Sequence, residues 1–207
     1  MLYAGGSILV GRGGVFLVGG EAMDSISDYS LDCDPDATGS ATWQVTDGYL
    51  HGTMSGEGQC YASIQDQSWQ ISKVSFRVRG VTGIDKGITI HSTLGVLAVN
   101  LRADPYNDMM VTSGHGGEFT YYNLPHSIGE WLDVEVQITS DEMHVFVNGV
   151  LKADLPIAPD VVAAPFTDAH VFVYNGMVTD YDDIIIEGAG VVPSESEMWG
   201  SLKSLYR

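Results

Sequence analysis

From Gly129 to Pro156 the chain reads GEWLDVEVQITSDEMHVFVNGVLKADLP, and three carboxylates, Glu130, Asp133 and Glu135, crowd its start. Carboxylates are the reagents of sugar cleavage. In a retaining glycosidase one attacks as nucleophile, another protonates the leaving oxygen, and the two stand about 5–5.5 Å apart. A strand sends alternate side chains to opposite faces. Asp133 and Glu135 therefore share a face, whereas Glu130 falls on the other unless a bulge resets the register. The same residues also serve a simpler purpose, which is to keep one face of a half-buried strand hydrated. The spacing favours that second reading, and a catalytic role would fall to Asp133 and Glu135.

A second group of residues has the chemistry of sugar binding. Tyr106, His115, Tyr121 and Tyr122 lie in the polar, glycine-containing stretch 104–123, with His91 and Arg102 on the strands before it. Ring faces stack on pyranose C–H groups while nearby polar groups set orientation. These six residues are the expected ligand-binding set. Adjacent tyrosines on a strand point opposite ways, so at most one of Tyr121 and Tyr122 faces a ligand. Trp43, Trp69 and Trp131 are expected to support packing. None of the six histidines has a partner at the spacing of a helical or finger-type zinc motif, nor do the cysteines, so no zinc site is expected. Nucleophile elbow, phosphate loop and dinucleotide fingerprint are absent, and the GRGG of residues 11–14 lacks a strand–GxGxxG–helix frame.

Something must position these groups. The 207 residues suit one all-β domain with short extensions, and 44% apolar content allows a sizeable core. With 27 acidic residues against 9 basic ones the net charge is −18, which disfavours nucleic acid, whose phosphates need clustered cations. No segment reaches the roughly 18 apolar residues of a membrane span. The N-terminus lacks the basic start and continuous apolar stretch of a signal peptide. A secreted protein would thus have lost its signal or be a fragment here, and a complete chain would be assembled from the cytosol. Cys33 and Cys60 are either one disulfide or two buried thiols.

From Trp43 to Gly188 apolar residues recur with period two, the mark of half-buried strands. WQVTDGYLHG reads as strand, Asp-Gly turn, strand. CYASIQ, VSFRVRG, GITIHS, GVLAVNLRA and MMVTS follow, then FTYYNL, WLDVEVQIT, MHVFVNG, AHVFVYNG and DDIIIEG. About ten to twelve such strands imply two antiparallel sheets packed face to face. The tail differs. In EMWGSLKSLYR, Met198, Trp199, Leu202, Leu205 and Tyr206 fall on one helical face. Ser194 and Glu197 have the spacing of a capping box, and Lys203 and Arg207 suit a helix C-terminus. So short an amphipathic helix needs a surface. Either it packs on its own domain, or Trp199, Leu202, Leu205 and Tyr206 form an anchoring tag or a contact to a partner chain. The chain thus divides into a glycine-rich N-terminal extension (1–23), a β-sandwich (24–188), and a linker with the terminal helix (189–207).

GEWLDVEVQITSDEMHVFVNGVLKAD resembles the G-E-W-x-x-V-x-I … V-x-V-N-G-x-L hairpin of the concanavalin A-like lectin/glucanase superfamily, which includes laminin-G-like modules and sugar-hydrolase-like domains. WQVTDGYLHG resembles the early W-x-V-x-D-G-x-L-x-G strand pair of that superfamily, and VTDYDDIIIEG its closing D-D-I-x-I strand. The resemblance spans residues 24–188 and implies an all-β jelly-roll sandwich whose ligands meet the concave sheet or its rim loops. It also implies a Ca²⁺ site between the sheet ends. Asp182, in phase with Ile184 and Ile186 and flanked by Asp180 and Asp183, would meet Asp24 and Asp28 near the first strand, giving oxygen-only coordination. Family 16 glycoside hydrolases of this fold carry E-x-D-x-(x)-E, and Glu130-Trp-Leu-Asp133-Val-Glu135 departs from it by one residue in the first gap. The expected function is a non-catalytic module that binds a polysaccharide, glycan or partner surface in an extracellular or surface-exposed setting. Two alternatives stand beside it. One is a structural assembly protein, such as a virion decoration or fibre subunit or a surface-layer component, whose glycine-rich arm and terminal helix tie subunits together. The other is a glycoside hydrolase or lyase.

Overall fold

The hydrophobic alternation becomes two layers of strands in the computed structural model, which describes residues 8–9, 15–17, 26, 29–116 and 118–190. Strands are numbered in chain order. The first sheet runs β3 (Ser30–Cys33), the first half of β6 (Gln59–Gly80), β14 (Phe166–Tyr174), β7 (Asp85–Ser92), β8 (Val96–Arg102), β9 (Asp108–Gly114), β10 (Thr120–Asn123). The second runs β4 (Ser40–Thr46), β5 (Tyr49–Ser55), β15 (Val178–Gly190), the second half of β6, β11 (Leu132–Ile138), β12 (Glu142–Val147), β13 (Val150–Pro156). Ahead of these, β1 (Ile8–Leu9) and β2 (Val15–Leu17) pair with each other, and β2 adds to β15 at Ile185–Glu187. Every pairing is antiparallel among the described residues.

The turns follow their residues. Asp47 and Gly48 take φ of 52° and 83° between β4 and β5, and Asn148 and Gly149 take 51° and 73° between β12 and β13. Tight hairpins favour such left-handed pairs because their twist matches that of the flanking strands. One expectation is corrected: CYASIQ and VSFRVRG are not two strands but parts of the 22-residue β6. No glycine or proline lies between Gln59 and Arg79, so nothing turns the chain. The first half of β6 pairs with β3 and β14, and the second half with β11 and β15. A single strand thereby belongs to both layers.

The core lies between the layers. Ile88, Ile90, Leu97, Val99, Leu101, Met109 and Val111 enter it from the first sheet. Leu132, Val134, Val136, Ile138, Met143, Val145 and Val147 meet them from the second. The alternation read from the opening stretch is thus the alternation observed. Cys33 and Cys60, opposite each other on β3 and β6, are joined in a disulfide. The one helix among the described residues, α1 (Pro159–Ala163), is a single turn between β13 and β14. The expected terminal helix, with Trp199, Leu202, Leu205 and Tyr206, lies outside the described residues.

Tyr181 of β15 shows how the layers are pinned. Its side chain is fully buried, and its hydroxyl sits where the β14–β7 ladder stops at Val171 opposite Ile88. The hydroxyl donates to the Phe172 carbonyl at 2.7 Å and accepts from the Gly87 and Phe172 amides at 3.1 and 3.3 Å. One phenol thus satisfies backbone groups of two strands in the opposite sheet. Burial pushes its pKa upward, so it stays protonated. Tyr181→Phe should cost about 2–3 kcal/mol in urea unfolding, because the freed groups have no water to turn to. A loss well under 1 kcal/mol would mean the bridge is dispensable.

Candidate functional site

Asp133 and Glu135 sit on the outer face of the second sheet. Asp133 is 3.1 Å from the Arg77 guanidinium, and Glu135 accepts from the Gln137 amide at 2.7 Å, with Lys73 3.9 Å away. Glu130 precedes β11, and its carboxylate takes the Ser127 amide at 2.9 Å. No bulge brings Glu130 into the strand, so the three acids do not share one face. Trp131 lies over the same rows, its ring 5.0 Å from the Arg77 guanidinium and 4.8 Å from that of Arg79. Trp43 is buried, as a packing residue should be.

The acidic residues of β15 are placed differently from their sequence phase. The register shifts between Asp182 and Ile185, where Asp183 takes a φ of 49°. This bulge corrects the phase expected for Asp182: Ile184 and Ile186 are fully buried, whereas Asp182 points to the arginine row and meets Arg77 at 3.2 Å. Burial and the neighbouring Asp183 raise the Asp182 pKa, and Arg77 opposes them. Asp180 is buried and held by Arg79 at 2.7 and 2.8 Å and by His51 at 2.6 Å. Guanidinium groups thus occupy carboxylate oxygens that a cation would need. Asp24 and Asp28 lie outside the described residues.

The six expected ligand-binding residues divide between two ends of the first sheet. Arg102 ends β8, and Asp108 begins β9 directly opposite it. Asp108 grips the guanidinium through both carboxylate oxygens, with Nε at 2.7 Å. Tyr106 packs 4.3 Å from the same guanidinium and Tyr121 5.6 Å from it. Both tyrosines are more than half exposed, at 54% and 59%. Guanidinium and rings thereby form one polar-aromatic platform. Nη1 of Arg102 has no partner among the described residues. Behind it Asn100 donates to Asp85 at 3.3 Å, while its own Oδ1 is buried and unpaired. Burial raises the Asp85 pKa, and the Asn100 hydrogen bond and Arg102 counter it. The loop carrying Tyr106 also borders a depression lined by Asp104, Asn107, Ser127 and Glu130.

Tyr122 packs against the core instead, as alternation requires, and burial raises its pKa. His91 and His115 belong to the far end of β8, about 20 Å from Arg102 at about 3.3 Å per residue. His115 is tied to the Leu94 carbonyl at 2.9 Å and to Asp160 at 3.3 Å. His91 meets residues that the sequence reading did not single out. Asp168 lies opposite it on β14, and His170 follows two residues on. Tyr61 stacks on His170 with centroids 4.6 Å apart and donates to Asp34 at 3.1 Å. Burial and nearby carboxylates push the Tyr61 pKa up to about 12. Burial, then His170, lowers that of His91. Only the D-x-H spacing on a strand could have hinted at this group, and it says nothing of His91, which is 77 residues away from Asp168 in sequence.

No protein-family profile and no curated protein sequence matches the chain. Solved structures do match in shape. A carbohydrate-binding module from Bacillus subtilis superposes with a TM-score of 0.52 at 11% identity, over 73% of this chain and 97% of the module. A protein of unknown function with a galectin-like fold, also from Bacillus subtilis, gives 0.58 at 9% identity, over 81% and 92%. The laminarinase catalytic domain from Thermotoga maritima gives 0.54 at 13% identity, over 72% and 81%. The fold is therefore the concanavalin A-like jelly roll, shared by binding modules and hydrolases alike. Shape alone does not choose between them.

Proposed function

We propose that the chain is a non-catalytic glycan-binding module that works outside the cell or on a surface, gripping saccharide at Tyr106, Arg102 and Tyr121. The observation that carries this reading is the pinned guanidinium between two exposed rings. Asp108 holds Arg102 in place, so the platform needs little ordering when a ligand arrives. Each ring offers a face to pyranose C–H groups, and Nη1 offers donors to a hydroxyl. The Arg102–Asp108 pair is neutral overall and the chain carries −18, so a neutral saccharide suits it better than an acidic one. The acids of β11 favour binding over cleavage because Asp133 and Glu135 are engaged with Arg77 and Gln137 and Glu130 lies apart. The Cys33–Cys60 disulfide supports an oxidising location.

A glycan array followed by calorimetry tests the proposal. The intact chain should retain a neutral oligosaccharide. Tyr121→Ala and Tyr106→Ala should each weaken it about tenfold, the worth of one stacking contact, with unchanged thermal stability. Trp131→Ala, on the other sheet, should leave affinity unaltered. Binding lost in Trp131→Ala but kept in both tyrosine variants would move the site to the second sheet. Silence across the array would remove the glycan reading.

A further inference from the structure

We propose that His91, Asp168 and His170 bind a divalent transition metal of the zinc class on the outer face of the first sheet. β7 sets His91 opposite Asp168 of β14, and strand period two puts His170 on the same face as Asp168. A register shift between Phe166 and Asp168 lies beside them, and such bulges re-aim side chains. One ligand atom from each residue lies within 4.8 Å of the others. Tetrahedral coordination with bonds of about 2.0–2.1 Å puts ligand atoms about 3.3 Å apart, a change that side-chain rotation supplies.

Three further features fit. Asp168 Oδ2 contacts His170 Nδ1 at 3.1 Å, while Oδ1 is buried with no partner. An orphaned carboxylate oxygen is costly, and a metal ion would satisfy it. No lysine or arginine pairs with Asp168 among the described residues, in contrast to Asp180 and Asp182 with their guanidinium partners. Tyr61 holds the His170 ring by stacking and is itself fixed by Asp34, the kind of outer support that orients metal ligands.

Donor type selects the metal. Two imidazoles and one carboxylate suit Zn²⁺, Co²⁺ or Ni²⁺, whereas Ca²⁺ and Mg²⁺ want oxygen throughout. Three protein donors leave a fourth position for water or a ligand oxygen, as in open zinc sites. The Asp168 side chain is 28% exposed and that of His170 8%, so the group lies just beneath the surface. The inference stands apart from the saccharide platform, which uses other residues at the other end of β8. A rival group exists in Glu142, His144 and Asp154, with a single imidazole and carboxylates more than half exposed.

The intact chain, stripped with a chelator and dialysed, is titrated with Co²⁺ alone while its visible absorption is followed, then with Zn²⁺ in competition. One equivalent of Co²⁺ should bind with the ligand-field bands of a low-coordinate site and be displaced by Zn²⁺. His91→Ala and Asp168→Asn should each weaken binding at least about tenfold, and His144→Ala should not. Circular dichroism and melting of each variant show whether it remains folded. His91 is only part-buried, so His91→Ala keeps the test usable if the Asp168 variant fails to fold. Absence of Co²⁺ and Zn²⁺ binding at micromolar concentration by the folded chain overturns the proposal. So does binding that disappears in His144→Ala while surviving in His91→Ala.

Discussion

His126→Ala is expected to destabilise the fold by about 2–3 kcal/mol at neutral pH, the cost of stripping the acceptor from a buried charged donor. The charge belongs to Lys86, whose side chain is fully buried in β7. Its ammonium has two contacts, His126 Nε2 at 2.7 Å and the Ile84 carbonyl at 3.4 Å. The tautomer follows from the other side of the ring. Leu124 offers a carbonyl 2.8 Å from Nδ1, and a carbonyl only accepts, so Nδ1 carries the hydrogen and Nε2 is the bare acceptor. Alanine removes that acceptor and leaves an ammonium with one long contact. Lys86→Met removes the charge itself and should cost much less than His126→Ala. Equal losses in chemical denaturation would mean that packing, not charge, is what His126 provides.

The same pair sets a pH signature. Burial pushes the Lys86 pKa down from 10.5 to about 8, against the opposing pull of Asp85 and Glu130. Below pH 8 both folded and unfolded chains hold the proton, and the full penalty of the buried charge is present. Between pH 8 and 10.5 the unfolded chain keeps its proton while the folded chain releases it. The unfolded state then binds more protons, so stability rises with pH across that window, by up to about 3 kcal/mol from this group. Burial, then the Lys86 charge, lowers the His126 pKa below its ordinary 6.5. As pH falls through 6.5 the unfolded chain therefore protonates first, and stability drops. The measurement is the difference in unfolding free energy between the parent chain and Lys86→Met from neutral pH to above 10.5. A flat difference would refute the assignment.

What the sequence disclosed was local. Leu132, Val134, Val136 and Ile138 announced a strand with one dry face, and Asp47-Gly48 and Asn148-Gly149 announced hairpins because few other residues accept positive φ. The opposite aims of Tyr121 and Tyr122 were legible from period two alone, and one is exposed while the other packs on the core. What stayed hidden depended on pairing between distant strands. His91 and Asp168 meet only because β7 lies beside β14. Arg79 and Asp180 meet because β6 pairs with β15. Asp182 was read in phase with Ile184 because a bulge at Asp183 leaves no signature in an alternating pattern. Lys86 and His126 meet across 40 positions of sequence, and nothing near either residue says that one will cover the other. Interactions of this kind are consequences of topology, and hydrophobic periodicity does not encode topology.

Replacing both cysteines, as Cys33→Ala with Cys60→Ala, should lower stability by about 3–4 kcal/mol, because the bridge closes a loop spanning 27 positions in sequence. The effect should also be uneven in space. β3 is four residues long, and its ladder partner is the first half of β6. Cys60 is fully buried, so alanine there also removes packing. Without the crosslink β3 depends on that short ladder, and Asp34, which holds the Tyr61 hydroxyl, follows directly after it. Tyr61 in turn stacks on His170. Loosening of β3 should thus reach the His91–Asp168–His170 group while leaving Arg102, Tyr106 and Tyr121 undisturbed on β8, β10 and the loop between β8 and β9. Amide exchange on the double variant separates the two regions. Faster exchange confined to residues 30–34 and 59–63 fits a bridge that secures one edge of the first sheet. Faster exchange spread evenly through β8 and β9 would mean instead that the disulfide stabilises the whole sandwich as one unit, and the link from Cys33 to the histidine group would fall.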